Sequence, residues 1–290
     1  MIKPVLSDDA LLADVAAART ETADDVFHLW WLGQAGFLVQ WNDRHVLVDP
    51  YLSDSLTKKY ATTDKPHVRM TDRVVDPLRL NFIDVVTSSH NHTDHLDHET
   101  LWPLMRVNPG LRMIVPEANR AFVAERLRCD PSWPVGCDDG VTVTAGGFEF
   151  TGMASAHESL EQDERGRYKY MGYIIRFGRW TIYHSGDAVP YDGMAERLRS
   201  LNEERPLNVV MLPINGRSPE RRVPGNFFGD EAASLAKAAN AQLVIPMHYE
   251  MFEFNTATPD VFVTEAEKIG QPYRILRCGE RWSSTFFERR

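Results

Sequence analysis

Ser89-His90-Asn91-His92-Thr93-Asp94-His95-Leu96-Asp97-His98 sets three histidines and one aspartate in the register His-x-His-x-Asp-His. In a chain of 290 residues with 10 histidines, chance produces that register at a frequency on the order of 10⁻³. The stretch follows Asp84–Ser89 (DVVTSS), a run of apolar and small residues that reads as a strand. A strand end is rigid enough to aim side chains and open enough to admit a substrate, so it suits a cluster of metal ligands.

A metal reading demands further ligands, and three stand at equivalent positions. His157 follows the strand and small-residue run 151–156, Asp187 follows Trp180–His184 in the turn Ser185-Gly186-Asp187, and His248 follows Leu243–Pro246. The candidates are therefore His90, His92, Asp94, His95, His157, Asp187 and His248. Imidazole with carboxylate suits Zn²⁺, Mn²⁺ or Fe²⁺, and seven ligands are too many for one ion of low coordination number. The natural division gives His90, His92 and His157 to one divalent ion and Asp94, His95 and His248 to another, with Asp187 bridging. Two such ions with two carboxylates and a hydroxide leave a site near about +1, suited to generating hydroxide at neutral pH and to holding a developing oxyanion. Hydrolysis is the expected outcome.

The remaining histidines carry less context. His28, His45 and His67 read as structural or solvated. His184 precedes the Ser-Gly-Asp turn and stands between a core role and a place beside the substrate. Asp97 and His98 read as residues that orient the ligands.

Working outward, the chain alternates between two kinds of patterning. Residues 7–20 read as a leading helix with Ser7 or Asp8 as its cap. The runs His28–Leu32, Gly36–Trp41 and His45–Asp49 read as antiparallel strands, and 53–80 as a long functional loop. Glu99–Arg106 and Glu117–Arg128 read as helices around a strand at Arg112–Val115. A second β-rich stretch covers Val141–Ala145, Phe148–Thr151, Met171–Phe177 and Trp180–His184. It is followed by strands at Asn208–Leu212 and Gln242–Pro246, helices at Asp230–Ala239 and Pro259–Ile269, and closing strands at Tyr273–Leu276 and Arg281–Phe286. Both halves run from a meander into βαβ units, which predicts a four-layer α/β sandwich with one site between its halves. No linker rich in Gly or Ser interrupts it, so the expectation is one domain over 1–290, with 1–22 as an N-terminal helical extension.

Composition bounds the rest. With 43% hydrophobic and 25% charged residues the chain has ample core material. Its formal charge of −9 disfavours broad nucleic-acid binding but not one small anion in a local positive site. No apolar run is long enough for a membrane span and no signal peptide is evident. Cys129, Cys137 and Cys278 read as free thiols of a reducing compartment, so a cytoplasmic protein is expected. The one basic cluster near a strand end, Asn215–Arg222, offers Arg217, Arg221 and Arg222 as a phosphate or carboxylate clamp, against a solvated loop. Trp30-Trp31 and the 53–80 loop offer a homo-oligomer interface, or equally core and lid.

Together these residues resemble the metallo-β-lactamase superfamily: Trp31–Phe37, Val48-Asp49-Pro50, His90–His95, His157, Ser185-Gly186-Asp187 and Ile245–His248. The resemblance implies a four-layer αββα sandwich and maps the family's metal ligands onto the seven residues named, with Asp187 as the bridging carboxylate. Within the superfamily, Leu29–Gly33, Tyr183–Asp187 and Ala239–His248 are similar to L-ascorbate-6-phosphate lactonase and its relatives. That likeness implies manganese and a phosphorylated sugar lactone, where the wider family more often implies zinc. The chain departs from that branch in being shorter, with a compact charged loop at Glu158–Lys169.

The leading expectation is a metal-dependent hydrolase, a lactonase opening a small, sugar-derived anionic molecule with one or two Mn²⁺ or Zn²⁺ ions. In it Asp94 and Asp187 hold the nucleophile and accept its proton, and His184 protonates the leaving alkoxide. The alternatives are a phosphodiesterase on the same site and a non-catalytic metal-dependent ligand-binding protein.

Overall fold

A computed structural model describes residues 1–21 and 25–289 of the chain. After helix α1 (Asp8–Ala18), strands β1 (Phe27–Gly33), β2 (Gly36–Trp41) and β3 (Arg44–Val48) form an antiparallel meander. Helix α2 (Ser55–Tyr60) lies inside the segment expected as loop. β4 (Val85–Thr87), helix α3 (His98–Val107), β5 (Arg112–Pro116), helix α4 (Arg120–Leu127) and β6 (Pro134–Cys137) then extend the sheet with parallel pairings.

The second half repeats the plan. β7 (Thr142–Ala145), β8 (Phe148–Ala154), β9 (Met171–Phe177) and β10 (Trp180–His184) are antiparallel. After helix α5 (Met194–Ser200), β11 (Val209–Pro213) pairs in parallel with β10. Beyond helix α6 (Gly229–Ala238), β12 (Leu243–Met247) pairs in parallel with β11. Helix α7 (Asp260–Ile269) precedes the last strand, β13 (Arg281–Ser283), which returns to pair antiparallel with β1. The result is a seven-stranded sheet, β13-β1-β2-β3-β4-β5-β6, against a six-stranded one, β12-β11-β10-β9-β8-β7.

Helix α4 packs on β5 and β6 with α3 beside it, and α6 packs on β11 and β12 with α5 and α7 against it. This is the expected αββα sandwich. β1 is buried at every position because the second sheet covers one of its faces and α1 reaches the other, where Trp30 Nε1 donates to Asp14 at 2.8 Å. An aromatic seam joins the sheets: Phe27 lies 5.2 Å from both Phe177 and Trp180, and Phe148 sits against Trp41 and Phe177. Burying one such ring is worth about 1.5–3 kcal/mol. The apolar core runs without a break from one sheet to the other.

Several expectations need correction. Tyr273–Leu276 is not a strand; Tyr273 makes a single bridge to Val244. The last strand stops at Ser283 and gives way to a 3₁₀ turn over Ser284–Arg289. α2, α5 and β6 went unread. The leading helix ends at Ala18, and the end of the expected 1–22 extension lies outside the described residues. No helix among the described residues is long and apolar enough to cross a membrane, and the three cysteines are free.

Candidate metal centre

Each candidate ligand leaves the C-terminal end of a strand. The loop after β4 carries His90, His92, Asp94 and His95; the segments after β8, β10 and β12 carry His157, Asp187 and His248. Their ligand atoms fall into two groups, His90 with His92 and His157, and Asp94 with His95, Asp187 and His248, each within 4.8 Å. Asp187 reaches across the groups: its Oδ1 is 3.2 Å from His95 Nε2, and its Oδ2 is 3.4 Å from His248 Nε2 and 3.7 Å from His157 Nε2.

Local structure explains the aim. Arg126 on α4 donates to the carbonyls of Asn91 and Leu96 and so braces the histidine-rich loop. Gly186 takes φ +63°, and a Cβ there would come within 2.5 Å of Ser89, so the Ser-Gly-Asp turn can lie against that loop only as glycine. His248 itself adopts φ +64°, an uncommon backbone for a residue with a side chain, and its N–H donates to Gln34 O at 2.9 Å. His95 Nδ1 is held 2.8 Å from Asp49 Oδ2, and His157 Nδ1 3.0 Å from the Gly225 carbonyl. Both contacts leave Nε2 facing the cluster, as ligands require.

The electrostatics fit divalent cations. His90 Nε2, His95 Nε2 and Asp187 Oδ1 are buried without hydrogen-bond partners, a costly state unless something else satisfies them. Burial keeps His90, His92 and His157 neutral, the last pushed down to about 4. In the other group burial opposes charge, yet His95 and His248 are raised by Asp187 and Asp94, His248 to about 9. Conversely His95 and His248 hold Asp94 and Asp187 below the usual carboxylate range against their burial. The half-buried Asp94 and the buried Asp187 thus draw positive charge into this group, protons when no ion is bound. The donor set suits zinc, manganese or iron(II) alike.

Members of both groups, His92 and His157 from one and Asp94, Asp187 and His248 from the other, line a cavity of about 490 Å³. α2 contributes Leu56, Lys59 and Tyr60 to its wall. His67 stacks on Tyr60 at 4.3 Å and meets Phe252 and Phe254 edge-on. Lys65, Arg126 and Arg222 also line it, and among the lining residues the only carboxylates are Asp94 and Asp187.

The structure sorts the other candidates. His184 does not reach the cavity: Gly186 N donates to its Nδ1 and its Nε2 lies 2.8 Å from the Ala35 carbonyl, so it holds the turn and has no proton for a leaving group. Arg217 makes a bidentate pair with Glu231 at the start of α6, and Arg221 bonds Asn255 and the Thr256 carbonyl. Only Arg222 of the three lines the metal cavity, paired on its outer side with Asp64. Asp97 caps α3 through Glu99 N and Thr100, and the His98 ring lies against Trp102. His28 and His45 are buried, whereas His67 belongs to the cavity wall. Asp49, Gln34 and Lys59 went unassigned by sequence reasoning. Val48-Asp49-Pro50 marked the first as notable, but nothing local to it points to His95.

Residues 28–248 match the family described as the Beta-lactamase superfamily domain. The chain belongs to the metallo-β-lactamase superfamily. Curated relatives in this superfamily include a UPF0173 metal-dependent hydrolase of Rubrobacter xylanophilus, 27% identical over 88% of this chain and 95% of that protein. Another, from Sulfolobus acidocaldarius, is 23% identical over 87% and 97%. Among solved structures, the metallo-β-lactamase fold protein YhfI from Bacillus subtilis superposes with a TM-score of 0.64 at 19% identity, covering 90% of this chain and all of that one. The assignment these findings carry is a metal-dependent hydrolase of the metallo-β-lactamase superfamily.

Proposed function

We propose that the protein is a cytoplasmic hydrolase that opens a lactone, or a related ester, of a small sugar-derived anion. The observation that carries this reading is Asp187, standing between two groups of metal ligands on the floor of a small cavity whose remaining charged lining is entirely basic. Ions held by these seven residues would supply hydroxide at neutral pH and neutralise charge growing on the substrate oxygen. Asp94 and Asp187 take up the proton of the attacking water. Lys59, whose ammonium group makes no ion pair or hydrogen bond among the described residues, meets the substrate's anionic group together with Lys65 and Arg222. The wall of Tyr60, His67, Phe252 and Phe254 sides the substrate ring and keeps bulk water from that flank. With His184 turned away, the leaving alkoxide takes its proton from the solvent at the mouth.

The test is hydrolysis of a panel of sugar lactones and phosphodiesters, followed with a pH indicator after chelated protein is reloaded with Mn²⁺ or Zn²⁺. Asp187→Ala is the control. Lactone turnover that vanishes in the control supports the reading. Phosphodiester turnover alone replaces the substrate class, and bound metal with no turnover in either set favours a ligand-binding role.

A further inference from the structure

The turn between β1 and β2 delivers one side chain that lies outside the seven candidate ligands. Gln34 is buried and adopts φ +51°, and its carbonyl accepts from both Trp31 Nε1 and His248 N. The turn is thereby locked to the backbone of a candidate ligand, and its carboxamide is driven into the second ligand group. The amide nitrogen lies 2.9 Å from Asp94 Oδ2 and 2.9 Å from His248 Nε2, two atoms themselves 3.7 Å apart. The amide oxygen is buried with no hydrogen-bond partner.

The carboxamide end is thus close enough to both atoms to join them around one ion after a shift of a few tenths of an ångström. Ligands about 2.1 Å from an ion stand roughly 3.0–3.4 Å apart, depending on octahedral or tetrahedral geometry. An ion held by Asp94 and His248 would therefore have the near atom of the Gln34 amide within reach. Which atom stands there depends on the amide's orientation, since its two ends have nearly the same shape. Without a cation, the NH₂ group donates to the carboxylate and the imidazole. With one, the lone pairs of Asp94 Oδ2 and His248 Nε2 turn to the ion, an N–H pointed at it is repelled, and the carbonyl oxygen is attracted.

We propose that Gln34 ligates the ion held by Asp94, His95, Asp187 and His248 through its amide oxygen. The proposal rests on the metal-centre reading above and makes the two positions unequal. The trihistidine group keeps the few nitrogen ligands that suit zinc. The other gathers two carboxylates, an amide oxygen and two imidazoles, a five-ligand set that favours an ion of octahedral habit such as Mn²⁺ or Fe²⁺.

The experiment titrates Mn²⁺ into chelated protein and counts free ion by electron paramagnetic resonance, for the wild type, Gln34→Leu and Gln34→Glu. Circular dichroism verifies that each chelated protein is folded. Leucine keeps the bulk without a ligand, and glutamate keeps the shape and adds charge. Expected are two sites in the wild type, at least tenfold weaker binding at one of them in Gln34→Leu, and binding in Gln34→Glu no weaker than wild type. Wild-type affinities in Gln34→Leu overturn the proposal. So does weakened binding in Gln34→Glu, because a residue acting only as an N–H donor to Asp94 would become a repelling carboxylate. If Gln34→Leu fails to fold, the glutamate result decides. A wild type that takes up no Mn²⁺ overturns the proposal, and one that takes up neither Mn²⁺ nor, by calorimetry, Zn²⁺ overturns the metal centre itself.

Discussion

The Asp49 carboxylate and the His95 imidazole face each other across a fully buried 2.8 Å contact. Asp49 is itself fixed by Ser89 N and the Thr87 hydroxyl. Burial alone would raise its carboxyl, but the His95 hydrogen bond, aided by His184 and Ser89, holds it below the ordinary carboxylate range. Asp49 is thus a positioning residue for a metal ligand. Asp49→Asn should weaken divalent-ion binding by about 10–100-fold, read by competition with a chelator, while leaving far-ultraviolet circular dichroism unchanged. Equal affinity in the variant would show that His95 needs no such support.

Asp187 contacts both ligand groups, so its loss should cost more than binding. Asp187→Ala should lower kcat/KM on whatever ester the protein turns over by at least about 10²–10³-fold, even at saturating metal. Turnover within a few-fold of wild type would remove Asp187 from the chemistry.

Lys59 tests the anionic-substrate reading. Lys59→Met should raise KM for a phosphorylated or carboxylated substrate by about 3–10-fold and leave kcat nearly unchanged, since an exposed charge contributes modestly. The gap should close in high salt, where such attractions are screened. A change in kcat with KM constant would point instead to a structural role for α2.

His45 gives a pH prediction away from the metal site. Burial, with the Arg19 guanidinium beside it, pushes its imidazole down to about 3 from an ordinary 6.5. The unfolded chain then binds a proton below pH 6.5 that the folded chain refuses until about pH 3. Its stabilising effect is therefore complete above pH 6.5 and is lost as pH falls through that window, with a slope of up to about 1.4 kcal/mol per pH unit. Denaturant melts of wild type and His45→Leu between pH 4 and 8 should differ in slope by close to that amount. Parallel curves would mean that His45 titrates in the fold as it does in the unfolded chain.

The strand-end histidines and Asp187 were legible because their spacing relative to β-runs is a local property of the sequence. What escaped was set by tertiary contact. β6 reads Pro134-Val-Gly-Cys137 and earns its place only by pairing with β5. α2, a six-residue helix in a charged segment, has too few turns for an apolar period to show. His184 looked available because it precedes the turn to Asp187, yet as the last residue of β10 it faces Ala35 in the β1–β2 turn of the other sheet. Arg217 and Arg221 formed a basic cluster on paper, but Glu231 and the 255–256 segment lie far along the chain and claim them in space. Gln34 sits in a turn that gives no hint of the two elements converging on it.

The sharing of ligands between strand ends has a mechanical consequence. His90, His92, Asp94 and His95 hang from the first sheet, and His157, Asp187 and His248 from the second. An ion in either group ties one half of the sandwich to the other, as a rivet does along the rim of a seam whose interior is held by the apolar core. Stripping the ions should loosen that rim first, so amide exchange would rise in the loops beyond β4, β8, β10 and β12 while the strands behind them stay closed. Neither half can assemble a complete group by itself, and the centre exists only once both have docked.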